Sequence, residues 1–392
     1  MSTFKKIQFH ALAIALAIIL SMCIVDIFFE LYGKQNFKTK LITGNQTLSR
    51  GTQANYENGI QAEVEWISAL KNKENIILLG SSEFGTFPRS SYLELPDSLN
   101  IPCVGFGHAF HQSFSMYCQA LAGREYLKDA KICVIFSPGW LETEGTNVEA
   151  FLEFVPTNFL RKIIHDDKIS NTFKNKIGEY IYRNDDLIEN PNQVLKLYKN
   201  AYLKKDIPFL KEKFEQFKNN ISSVSYKVKP LVSKLSKKSL PLGYKKQMQS
   251  TKDKFIKSVK TNKIFVSDEY FTEYVLDKKT GKIVNGNVSK MDYLKSQEMK
   301  DFLMLIQILK YYQADVSIII QPLNNYHYSG IENLNPAIQS IEKELKSKKI
   351  PYLNLFAYSK AQFEPAVLND IMHLGNYGWM KVNHFLVEKY AQ

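Results

Sequence analysis

The sequence predicts an α/β fold with a mainly parallel sheet, a long helical insertion and one N-terminal transmembrane helix. Three observations predict it. Short apolar runs such as Asn75-Ile-Ile-Leu-Leu79 and Ile132-Cys-Val-Ile-Phe136 end in Gly or Ser-Pro-Gly, as strands buried on both faces do. Segments with apolar residues at helical spacing alternate with those runs, the order that builds parallel sheets. From about residue 142 to 297 that rhythm stops, and a Lys-rich stretch of mainly helical pattern replaces it.

The amino terminus comes first. Lys5-Lys6 precede Ile7 to Phe29, a mostly apolar stretch of 23 residues. As a helix it is long enough to span the ~30 Å of a bilayer's hydrocarbon. The leading lysines place the amino terminus in the cytoplasm and the rest outside it. A cleaved signal peptide would carry a shorter apolar core and a small-residue cleavage site, and neither is evident. Leu20-Ser21-Met22-Cys23 is a poor lipoprotein box, because Met before the cysteine is bulky. Residues 1–33 therefore read as an uncleaved anchor, 34–58 as a polar linker and 59–392 as an extracytoplasmic domain.

Within that domain Gly59 to Leu70 reads as a helix and Asn75 to Leu79 as the first strand. Ile101 to Val104 is the second strand, Gln112 to Leu127 a helix, and Ile132 to Phe136 the third strand. After the insertion come a helix at Glu298–Tyr312, a strand at Val316–Ile320 and a helix at Pro336–Lys346. A last strand at Pro351–Leu355 and a helix at Tyr377–Tyr390 close the chain. Inside the insertion, Lys278-Lys-Thr-Gly-Lys282 reads as a hairpin or loop.

Composition excludes several classes. With 45% hydrophobic and 23% charged residues the chain is globular rather than disordered. No repeat period is present, so a solenoid or propeller is excluded. The four cysteines form no C-x-x-C pair, which removes a zinc ribbon or a thioredoxin site. Cys23 lies in the apolar segment, leaving an odd three, so disulfides do not frame the fold.

The net charge is +12, and 17 lysines against 4 acids between Lys204 and Lys263 account for all of it. Lys204, Lys205, Lys227, Lys229, Lys237, Lys238, Lys245 and Lys246 are candidates to bind a polyanion or an anionic membrane. A solvated helical face fits the same pattern. No nucleic acid is expected, because no nucleic-acid motif accompanies the charge.

In an open parallel sheet, ligands gather at the carboxyl ends of the strands. Those ends here carry Gly80-Ser81-Ser82-Glu83, Gly105-Phe106-Gly107-His108, Ser137-Pro138-Gly139-Trp140, Gln321-Pro322-Leu323-Asn324 and Asn369-Asp370-Ile371-Met372-His373. A serine hydroxyl is a weak nucleophile unless an imidazole takes its proton, and a carboxylate must hold that imidazole. Ser82, His373 and Asp370 supply those three groups. Taken singly, Ser82 also fits a helix cap, and Asp370-x-x-His373 a turn with a satisfied histidine. The Ser82 and Gly107 amides are candidates for the oxyanion hole, and plain turn geometry is the alternative for Gly107. His108 and His111 are three apart without a nearby carboxylate, so no metal is expected, and no cofactor either.

These residues resemble the SGNH/GDSL hydrolase superfamily and, more closely, the DltD family of teichoic acid D-alanylation. The family pattern of an anchor, G-S-S-E, S-P-x-W, P-x-N and D-x-x-H-x-G-x-x-G-W reads here as the apolar segment, Gly80–Glu83, Ser137–Trp140, Pro322–Asn324 and Asp370–Trp379. The likeness covers about residues 1–140 and 298–392. The superfamily's Asp before the nucleophile is Ser81, its third-block Asn has no counterpart at Ser137-Pro138-Gly139, and His108–His111 is bulkier than its turn.

The resemblance implies a three-layer α/β/α fold and a serine-dependent acyltransferase that moves D-alanine onto lipoteichoic acid hydroxyls. It adds Trp140, Asn324 and Trp379 as pocket residues and a membrane-bound O-acyltransferase as partner. Two alternatives stay open. One is an esterase or O-acetyltransferase acting on another envelope polysaccharide. The other is a non-catalytic scaffold that binds polyanion through its lysines.

Overall fold

A computed structural model describes residues 59–84, 103–107, 109–188, 191, 193–203 and 242–390. The apolar amino-terminal segment, the linker and Lys204, Lys205, Lys227, Lys229, Lys237 and Lys238 lie outside the described residues. Among the described residues no helix is long and apolar enough to cross a membrane.

Five strands form one sheet: β1 (Ile76–Leu79), β2 (Cys103–Phe106), β3 (Lys131–Phe136), β4 (Asp315–Ile320) and β5 (Tyr352–Asn354). Their order is β2-β1-β3-β4-β5, and every pairing is parallel. The order reverses direction at β1, and the crevice beyond the carboxyl ends there is where such sheets hold ligands.

Alternation along the strands explains the two-sided burial. Ile77, Leu79, Val104, Phe106, Ile132 and Val134 face one core. Ile76, Leu78, Cys133, Ile135 and Ile319 face the other. Helices α1 (Gly59–Lys71), α2 (Ser113–Ala122), α3 (Gln297–Tyr311) and α4 (Asn335–Ser347) cover the first face. Helix α5 (Asn376–Tyr390) covers the second through Trp379, Val382 and Leu386. The result is three layers, helix on sheet on helix.

Element ends differ from the sequence reading in informative places. The helix expected to run from Gln112 to Leu127 stops at Ala122, and a short 3-10 turn at Arg124–Tyr126 follows. Gly123 sits at the break, where a Cβ would meet Leu70 and the Trp66 indole. Close packing of α1 decides that end, and helical periodicity does not report it. The second strand runs to Phe106, two residues past Val104.

The insertion leaves after β3 and returns before β4, yet those strands pair along their full length from Lys131↔Asp315 to Phe136↔Ile320. Its helices Val148–Phe154, Thr157–His165, Asn171–Arg183 and Gln193–Tyr202 bury Phe151, Leu160, Ile163, Ile177 and Leu195 in the same core as the sheet. A later helix, Tyr244–Ser258, lies on the opposite face. Lys252 on that helix, with Lys381 and Tyr377 on α5, binds the carboxylate of Glu364. Burial would raise that carboxyl, but these donors hold it well below its ordinary range, at about 2.

Candidate active site

Strand β1 delivers the first group. Its ladder continues one residue past Leu79, where the Gly80 amide donates to the Phe106 carbonyl at 3.1 Å. The chain then turns sharply through a 3-10 turn at Ser82–Phe84. A Cβ on Gly80 would stand 2.8 Å from the Phe84 ring, so glycine lets the turn fold back on the strand. Gly107, at the end of β2, faces the Gly80 carbonyl so closely that a Cβ would run into it. His111 donates from Nδ1 to that same carbonyl at 2.9 Å and is fully buried against Phe154.

The second group comes from the loop before α5. Asp370 Oδ1 accepts the amides of Met372 at 2.8 Å and His373 at 2.7 Å. The Asn369 amide donates to the His373 carbonyl at 2.9 Å, and Gly375 to Val367 at 2.8 Å. These bonds curl residues 367–375 into a closed loop. Gly378 lets α5 press onto it, since a Cβ there would meet the Val367 carbonyl.

The two elements meet at one point. Ser82 Oγ lies 2.8 Å from His373 Nε2, across 291 positions of sequence. His373 Nδ1 lies 2.7 Å from Asp370 Oδ2. A carboxylate can only accept, so Nδ1 carries the proton and Nε2 is left to accept from the serine. Ser82 is half-buried while Asp370 is 2% exposed, which leaves the hydroxyl reachable and its support sealed.

Burial alone would lower the basicity of His373. The hydrogen bond and charge of Asp370, with the charge of Glu83 behind them, outweigh burial and leave the imidazole above its ordinary value. Glu83 is a residue that the sequence reading passed over. It is buried next to Ser82 and its carboxylate accepts the Ser81 amide. Burial pushes its carboxyl up, while His373 and the Ser81 amide pull against that shift. His111 was also passed over as a support. Only the short G-S-S-E spacing hinted at Glu83, and nothing in the sequence pairs His111 with Gly80.

The three expected pocket residues sit elsewhere than on an open wall. Asn324 is fully buried; its side-chain nitrogen donates to the Ile264 carbonyl at 2.7 Å, and its oxygen accepts the Tyr326 and His327 amides. Its own amide donates to the Ile371 carbonyl at 3.1 Å. Asn324 thus ties the β4 loop to the insertion and to the Asp370 loop, with both polar side-chain atoms engaged inside the protein. Trp379 is equally buried and stacks on Phe84 at 6.4 Å between centroids, directly behind the Ser82 turn. Trp140 is buried and meets Phe136 edge-on. Asn324 and Trp379 support the site from within, whereas Trp140 packs in the core on the other face of the sheet.

The insertion also reaches this loop. Ser267 donates its amide to the Asn369 carbonyl at 3.1 Å, and Ile371 packs on Ile264, Val266, Phe271 and Val275. Tyr270 and Tyr328 feel the Asp370 charge; burial first, then that charge, pushes Tyr328 up to about 12. Of the eight candidate lysines, Lys245 and Lys246 are described, and both are exposed on the helix Tyr244–Ser258. His108 lies outside the described residues, and among those described no group of His, Cys, Asp and Glu is arranged to hold a metal ion.

The chain is 24% identical over 346 residues to Protein DltD of Bacillus subtilis (strain 168), covering 82% of this chain and 83% of that one. The family model described as DltD protein matches residues 54–391, from the start of the folded domain through α5. With a match across nearly the whole described structure, the chain belongs to the DltD family.

Proposed function

We propose that this protein is an extracytoplasmic acyltransferase with an SGNH-hydrolase-like domain, working in the D-alanylation of teichoic acid. DltD family membership supports the pathway. The observation that carries the chemistry is the 2.8 Å approach of Ser82 Oγ to His373 Nε2, with Asp370 on the other ring nitrogen.

In this reading Ser82 Oγ attacks the carbonyl of an activated D-alanyl ester, and His373 Nε2 takes the hydroxyl proton. The imidazolium returns that proton to the leaving group as the bond to it breaks, which leaves D-alanyl-Ser82. A hydroxyl of lipoteichoic acid then attacks the acyl-serine. His373 accepts its proton and hands it back to Ser82 Oγ. Asp370 fixes the tautomer and stabilises the imidazolium in both halves. The Ser82 and Gly107 amides serve as the oxyanion donors, each worth on the order of 3 kcal/mol in the transition state. The apolar segment before residue 33 anchors the chain once through the cell membrane, with a membrane-bound O-acyltransferase as neighbour and the lysines around residues 204–263 holding the anionic polymer.

The test is the D-alanine ester content of the envelope in cells carrying Ser82→Ala. Wild-type content would reject the acyl-serine step. Mass spectrometry of the acyl group trapped on Ser82 separates a D-alanyl transferase from an O-acetyl one.

A further inference from the structure

Beside the Asp370–His373 loop, the later part of the insertion forms a small antiparallel hairpin with an unusual surface. Leu276 pairs with Ile283, Val284 donates its amide to the Val275 carbonyl at 2.9 Å, and Asp277 to the Lys282 carbonyl at 2.9 Å. Gly281, at φ 64°, closes the turn. Tyr274, Ile283 and Val284 are 55%, 42% and 56% exposed, although isoleucine and valine normally pack inward. Lys278, Lys279 and Lys282 stand exposed around the tip. Asp277, the one acid between Tyr274 and Val284, is engaged with the Lys279 and Thr280 amides, both at 2.8 Å.

The base of the hairpin is anchored where the outer part is not. Phe271 and Val275 are buried with Ile264 and Val266, and Ile371 of the Asp370–His373 loop packs on that cluster. The hairpin therefore stands on the same edge of the sheet as the Ser82–His373 pair. Its composition matches one kind of surface. Aliphatic and aromatic side chains interleaved with lysines suit the boundary between acyl chains and anionic headgroups. A phosphate polymer would satisfy the lysines but offer nothing to Ile283 and Val284. The same chain carries an apolar run at Ile7–Phe29 that would hold the domain near a bilayer.

We propose that this hairpin docks on an anionic lipid bilayer, with Ile283 and Val284 at the headgroup boundary and the three lysines on lipid phosphates. Docking would aim the Ser82–His373 pair at lipid-borne substrate; that consequence rests on the function proposed above, whereas the docking rests on the hairpin alone.

The native tryptophans, Trp66, Trp140 and Trp379, are 1%, 8% and 0% exposed, so an added surface tryptophan can be read against them. Full-length Val284→Trp is reconstituted in vesicles of phosphatidylglycerol and phosphatidylcholine whose acyl chains are brominated. Tyr311→Trp is the control, because Tyr311 is exposed at the end of α3 that leads into the amino edge of the sheet. We expect strong quenching at position 284 and none at 311. Reversing Lys278, Lys279 and Lys282 to Glu should weaken docking on the order of 100-fold and bring 284 to the control level. Quenching at 284 no greater than at 311, or unchanged by charge reversal, overturns the proposal. The first of those results would point to a protein as the occupant. Ser82→Ala leaves this quenching unchanged, so a failed docking test and a failed acyl-serine test are told apart.

Discussion

Gly378, in the first turn of α5, lies so close to the carbonyl oxygen of Val367 that no Cβ fits between them. The contact sets the distance between the helix and the loop that carries Asp370 and His373. Gly378→Ala should push α5 outward, carrying Trp379 off Phe84. A loss of about 2–4 kcal/mol in stability is expected, in the range of core overpacking and strain. Denaturant unfolding measures it, and a variant as stable as the parent would show that the contact relaxes without consequence.

Asp370→Asn keeps the shape of the loop, since an amide oxygen can still accept the Met372 and His373 amides. The amide nitrogen would then face His373 Nδ1 and force that atom to accept. Nε2 would carry the proton and could no longer take one from Ser82. Acyl transfer should fall on the order of 10³–10⁴-fold with little change in melting temperature, as expected for the wrong tautomer. A loss of less than about tenfold would remove Asp370 from the chemistry.

Acid should silence the proposed acyl transfer at a higher pH than an ordinary imidazole would set. Burial lowers the basicity of His373, but the bond and charge of Asp370 and the charge of Glu83 raise it above the ordinary 6.5. Activity needs neutral Nε2, so the acid limb of the rate profile should have its midpoint above 6.5. Glu83→Gln removes one negative charge and should move that midpoint down. The sign for stability is the reverse of that for activity. A histidine raised in the native state stabilises the fold fully below its unfolded value, and that contribution is lost as pH rises through the native value. A midpoint at or below 6.5, or one that Glu83→Gln leaves in place, would contradict this account.

Much of the frame is legible in the sequence for a simple reason. Strands such as Ile76–Leu79 and Lys131–Phe136 are buried on both faces, so they appear as unbroken apolar runs bounded by glycine or proline. The meeting of Ser82 with His373 is legible because strand ends converge in this architecture. The roles of Asn324, Trp379 and Trp140 are not, because a residue at a strand end can face the cleft or the protein behind it with the same local pattern. Asn324 is decided by Ile264 and Ile371, which are remote in sequence. The break at Gly123 is likewise decided by the approach of Trp66 and Leu70. Glu83 and His111 act on backbone groups, and side-chain spacing carries no trace of such bonds.

The first strand supplies the alcohol early in the chain, while its hydrogen-bonding imidazole arrives only with the closing residues, after the strand at the sheet's far edge. A ribosome makes the amino-terminal end first. Every unfinished copy therefore carries Ser82 without a proton acceptor, and a copy cut short before position 373 stays chemically silent for good. Under the proposed acyl-serine chemistry, reactivity would switch on only at completion of the chain.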